Sequence, residues 1–126
     1  MTLSRDQLLS KNGQAIEKVP LRGDCVYVRR MTADERDEWE VGQYLVNGKD
    51  VSVNRRQLRA RLILRCICDE HGARLLADTD LAAVGAMDSD EADLLYEVAQ
   101  RLNRLRAEDV DDLEKNSEGG LAANSS

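Results

Sequence analysis

The sequence predicts an α+β fold, mostly α: a small N-terminal antiparallel β-hairpin packed on a bundle of about four helices. Three observations carry this. Residues 54–70 repeat apolar side chains with helical period, so that Ala60, Ile63, Leu64, Ile67 and Cys68 share one face while Arg61 and Arg65 fall on the other. A second run ends near residue 104, with Ala92, Leu95, Ala99 and Leu102 at spacings of three and four. Near the N-terminus, Cys25-Val26-Tyr27-Val28-Arg29-Arg30 concentrates β-branched and aromatic residues, as a strand does. With no Phe and one Trp, the aliphatic helix over 54–70 must supply much of the core.

Taken in order, Ser4-Arg5-Asp6-Gln7 has the form of a capping box and opens a short helix that ends at Lys11-Asn12-Gly13. Residues 15–20 suit an edge strand, because Pro20 cannot donate to a ladder. Arg22-Gly23-Asp24 is a turn, and 25–31 is the second strand of the hairpin. Thr32-Ala33-Asp34-Glu35 is another capping box, with Asp34 and Glu35 suited to the positive end of the helix dipole. This helix runs to Trp39 or Val41, and Trp39 is expected to pack on the sheet or the central helix. Tyr44-Leu45-Val46 and Val51-Ser52-Val53 flank an Asn47-Gly48 turn and suit a short hairpin.

Asn54 is the expected cap of the central helix and Gly72 its left-handed stop. Residues 73–77 connect to a brief helix over 81–84, capped by Asp78-Thr79-Asp80 and ended by Gly85. Asp88-Ser89-Asp90-Glu91 starts the second long helix, on which Glu97 and Arg101 are spaced to pair. Val110 and Leu113 suit a last acidic helix, and the Gly-rich residues 117–126 a disordered tail. The expected organisation is one domain over 1–116 followed by that tail.

A chain of 126 residues supports one modest core. No apolar run approaches the roughly 20 residues of a membrane span, and no secretory leader is expected. The odd count of three cysteines fits reduced thiols in a cytoplasm. Charge is uneven: residues 1–75 carry 14 Lys+Arg against 11 Asp+Glu, and residues 76–126 carry 4 against 13. The acidic half argues against wrapping a phosphate backbone there.

Candidate chemistry is sparse. Cys66, Cys68 and His71, with Cys25 at a distance, suggest a metal site. However, residues two apart on a helix point about 200° from each other, so neither a shared ion nor a Cys66–Cys68 disulfide is expected. A Cys–His nucleophile pair lacks an oxyanion hole, and His71 is better read as a dipole partner at a helix end. Arg55, Arg56, Arg59, Arg61 and Arg65 could read nucleic acid, but they spread around the helix and lack stacking aromatics. The plain alternative is a solvated face whose arginine stems cover apolar surface. No cofactor and no metal is expected.

Several stretches in series resemble the small tail assembly chaperones of long-tailed bacteriophages and prophages. They are Val26 to Glu40 with its Arg29-Arg30-Met31-Thr32 junction and Trp39; the close of the central helix in Cys68-Asp69-Glu70-His71-Gly72; residues 78–85; Leu95-Tyr96-Glu97-Val98-Ala99-Gln100-Arg101-Leu102-Asn103; and the acidic run from Glu108 to Asn116. Arg106-Ala107 departs from the hydroxyl cap common before that last helix. The resemblance implies a non-enzymatic protein of the infected cell's cytoplasm, absent from the finished virion. Its partner would be the tape measure protein, held soluble until tail tube protein polymerises around it. Self-association is known in some members. Membrane and nucleic acid are not expected partners.

Many members have a longer form made by a −1 ribosomal frameshift. Glu114-Lys115-Asn116 permits the codons GAA-AAA-AAC, which contain the slippery heptamer A-AAA-AAC, and the residues after it would then be dispensable. An apolar groove between the two long helices, marked by Leu58, Leu62, Leu94 and Val98, is the candidate partner-binding surface; the favoured reading of these four is plain core. The competing function is a small regulatory nucleic-acid-binding or general protein-interaction module.

Overall fold

The structure, a computed structural model, describes residues 1–10 and 14–105. Among these the chain forms helices α1 (Arg5–Leu9), α2 (Ala33–Val41), α3 (Leu58–Cys66), α4 (Leu81–Gly85) and α5 (Ser89–Leu102). Its strands are β1 (Ile16–Leu21), β2 (Asp24–Arg29), β3 (Tyr44–Asn47), β4 (Asp50–Val53) and β5 (Ile67–Cys68). Strands β1, β2 and β5 form one antiparallel sheet with β2 in the middle; β3 and β4 form a separate hairpin. The last acidic helix and the tail expected beyond Arg106 lie outside the described residues.

Among the described residues the expected bundle of about four helices does not form. Helix α1 buries nothing, α2 buries only Trp39, and α4 buries only Val84. Only α3 and α5 carry extended core faces, and α5 packs on α3 and across β1 and β2. The result is an α+β fold with two small antiparallel sheets. The N-terminal hairpin is present, with Pro20 on the edge strand as expected. Its turn is Arg22-Gly23, with φ of +53° and +77°, the left-handed pair of a type I′ turn.

The central helix is shorter than expected at both ends. It starts at Leu58, because Asn54 is engaged in a loop instead of a cap: its amide donates to the Gln43 carbonyl at 2.6 Å, and its side-chain oxygen accepts from the Arg56 amide at 3.1 Å. It ends at Cys66, because the next two residues are claimed by a strand. Tyr27 pairs with Cys68 and Val28 with Ile67, giving β2 a partner on its second edge. β-Branched Ile67 suits that extended backbone. Its placement with Cys68 on the helical face is therefore corrected: both are buried, but in the sheet. Gly72 does take a positive φ, +88°, in the turn after β5 and not at a helix end.

Both core helices end on arginines from elsewhere in the chain. At the end of α3, Arg74 Nε donates to the Leu64 carbonyl at 3.2 Å and Arg29 Nη2 to that of Arg65 at 2.9 Å. At the end of α5, Arg30 Nε reaches Leu102 O at 2.7 Å and Arg36 Nη1 reaches Asn103 O at 2.8 Å. These carbonyls have no partner within their own helix, and the positive charges suit the negative end of each dipole. Helix α5 stops in a Schellman turn: Arg104, with φ of +54°, donates to Arg101 O, and Leu105 donates to Gln100 O at 2.8 Å. Buried Asn103 then ties this end to the sheet, accepting from the Met31 amide at 2.8 Å and donating to Ala99 O.

Candidate docking surface

The cysteines and the histidine do not converge. Cys66 is buried at the end of α3, where Asn103 Nδ2 approaches its sulfur at 3.4 Å and burial pushes the thiol up to about 12. Burial also raises Cys68, in β5. A thiol held protonated is a poor nucleophile. Cys25 sits half-buried on β2. His71 is exposed in the turn after β5, with Nε2 3.3 Å from Glu70, and caps no helix. Among the described residues, no group of three or more His, Cys, Asp or Glu side chains is placed to hold a metal ion.

The arginines of α3 are engaged internally. Arg61 donates to three carbonyls, Gly42 at 2.7 Å, Asn54 at 2.6 Å and Arg56 at 3.0 Å, and so closes the loop before α3. Arg65 bonds Glu38 at 3.0 Å, and Arg59 pairs with Asp93 across to α5. A reading helix presents its guanidiniums outward to bases and phosphates. Here Arg61 is turned back onto its own backbone.

The four apolar residues marked as a contact surface separate into different environments. Leu62 is fully buried and Val98 is 8% exposed; both are core. Leu58 is half-buried against that core and lines a cleft with Met87, Ala92 and Tyr96, between α3, α4 and the start of α5. Leu94 is 40% exposed on α5. The facing sides of the two long helices are thus packed together, and the groove expected between them is filled by their own side chains.

A further exposed apolar surface is on the β3–β4 hairpin. In its register Tyr44 faces Val53 and Val46 faces Val51, so these four share one side of the hairpin; Leu45, Ser52, Asn47 and Asp50 share the other. Val46 is 70% exposed and Leu45 52%, and Val41 at the adjoining end of α2 reaches 74%. A two-stranded hairpin cannot cover its own apolar face. The base is firmly held: buried Gln43 donates through Nε2 to Trp39 O at 2.8 Å, and Asn54 Nδ2 donates to Gly42 O. The turn has Gly48 first, with φ of +64°, as a type II′ turn requires. The alternation in Asp50-Val51-Ser52-Val53 was a legible signal of a one-sided strand. That Val46 stays 70% exposed on this side is a tertiary fact.

Compared with the known protein families, the curated proteins and the solved structures, the chain finds no match.

Proposed function

We propose that this chain is a non-enzymatic tail assembly chaperone that binds the tape measure protein and keeps it soluble while tail tube protein polymerises. Two things support the reading. One is the resemblance carried by residues 26–116. The other, from the structure, is the exposed apolar side of the β3–β4 hairpin, flanked by Val41. A largely helical tape measure protein exposes apolar stripes before assembly, and such stripes aggregate. A rigidly based apolar hairpin on a chain of net charge −6 covers a stripe while the charge keeps the complex in solution. The hairpin replaces Leu62 and Val98, both in the core, as the surface offered to the partner.

The test is co-expression of the tape measure protein with this chain or with a Val41→Lys, Val46→Lys variant. Both substituted positions are largely exposed, so the variant is expected to keep its stability within about 0.5 kcal/mol. The expected outcome is a tape measure protein recovered soluble and in complex with the unaltered chain, and insoluble with the variant. Equal recovery with both would remove the hairpin from the mechanism, and a tape measure protein indifferent to either chain would remove the function. Reading the nucleotides of codons 114–116 tests the two-form expectation separately: a slippery heptamer followed by a long open −1 frame is the expected finding.

A further inference from the structure

A pocket of about 170 Å³ lies between α2, α3 and the start of α4. Trp39 of α2, Leu64 of α3 and Leu81 of α4 give it apolar walls. Trp39 is 3% exposed, yet its indole N–H has no acceptor among the described residues. A buried donor without an acceptor is costly, and such groups are rare in folded proteins.

Arg61 lines the same pocket and is a cation without a carboxylate. Its three bonds, to Gly42, Asn54 and Arg56, all go to neutral carbonyls. They use one hydrogen each of Nε, Nη1 and Nη2, which leaves a second hydrogen on each Nη without a partner among the described residues. Burial, and then the like charge of Arg65, push this guanidinium below its ordinary value. The two carboxylates that line the pocket are held by other arginines: Glu38 accepts from Arg65 at 3.0 Å, and Asp78 from Arg74 at 2.7 Å. With Arg74 counted beside Asp78, three cations stand against two anions, and the surplus charge is that of Arg61.

A small-molecule site combines apolar walls with a few polar groups that fix orientation. Here those groups are donors, one of them charged, so the matching ligand is an anion on an apolar body. At roughly 30 Å³ for each water-sized group, the pocket holds about six non-hydrogen atoms. We propose that this pocket binds a short-chain monocarboxylate, its oxygens taken by the Trp39 indole N–H and the Arg61 guanidinium and its alkyl chain by Leu64 and Leu81. The site does not depend on the chaperone reading.

The chain has one tryptophan, so its ¹⁵N-labelled form gives a single indole N–H resonance. Titration with sodium butyrate, which has six non-hydrogen atoms, is expected to move that resonance and the amides of Gly42 and Leu81 saturably. Half-saturation is expected at roughly 1–10 mM, as suits a ligand of that size. Sodium chloride and 1-butanol at equal concentrations should leave these resonances in place. In a Trp39→Phe variant, which keeps an aromatic ring and removes the donor, the Gly42 and Leu81 amides should need at least tenfold more butyrate. An indole resonance that butyrate does not move overturns the proposal. Equal movement by chloride or by butanol overturns it too, as does undiminished affinity in the variant. If the variant does not fold, the three titrations of the unaltered chain decide alone.

Discussion

Replacing Glu35 with glutamine isolates the one carboxylate that answers a buried guanidinium. Arg29 is 4% exposed, and Glu35 meets it with two bonds of 2.7 and 2.5 Å. Burial pushes the Glu35 carboxyl up. The Arg29 guanidinium and the Thr32 amide more than offset this, bringing it from the ordinary 4.5 to about 2. That difference corresponds to roughly 3 kcal/mol. Water still reaches a fifth of the side chain, so about 2–3 kcal/mol is expected. The folded-state value is depressed, so this stability is complete above pH 4.5 and is lost as pH falls towards 2. The introduced glutamine keeps an oxygen for the Thr32 amide, which now bonds the Glu35 carboxylate, and so the capping box stays out of the comparison.

Urea unfolding followed by fluorescence of Trp39, the sole and buried tryptophan, reads both proteins at pH 7, 4 and 2.5. The variant should be less stable by about 2–3 kcal/mol at pH 7, and the gap should shrink by more than half at pH 2.5. A gap below 0.5 kcal/mol at pH 7, or one of equal size at all three pH values, would refute the ion-pair argument.

Other consequences are open to the same methods. Asn103→Leu leaves the buried Met31 amide without its acceptor and should cost about 2–3 kcal/mol, with hydrogen exchange rising first at residues 31 and 103–105. Arg104→Gly relieves a left-handed conformation at the Schellman position and should stabilise the chain by about 0.5–1 kcal/mol; an unchanged or lower melting temperature would mean the strain is not there. At pH 8 a thiol reagent should modify Cys25 well before Cys66, whose burial holds it at about 12; labelling of Cys66 at a matching rate in the native chain would contradict its burial.

Local signals were legible in the sequence. The capping boxes at Ser4 and Thr32 form with both reciprocal bonds, and Asp88 accepts from Asp90 and Glu91, because a cap needs only residues within one turn. The β1–β2 and β3–β4 hairpins were readable from composition and turn residues, again at short range. The stripe Leu95, Ala99 and Leu102 marked the buried face of α5. Only tertiary structure decided where the central helix ends. Helical periodicity continues through Cys68, but β2 has an open edge, and hydrogen bonds to it outweigh two more residues of helix. Arg101 likewise leaves its helical neighbour Glu97 for Glu17 on β1.

Tertiary structure also decided what the charged and apolar side chains do. The sequence determined that α3 carries arginines and that β4 has one apolar side. It could not say that Arg61 closes the loop back to Gly42 or that Arg29 and Arg74 cap α3 from distant segments. Nor could it separate Leu62, in the core, from Val46, in solvent. Apolar pattern specifies that a face seeks cover, a property of the local chain. Whether another element arrives to cover it depends on contacts between residues far apart in sequence, and on the β3–β4 hairpin Val46 is left 70% exposed.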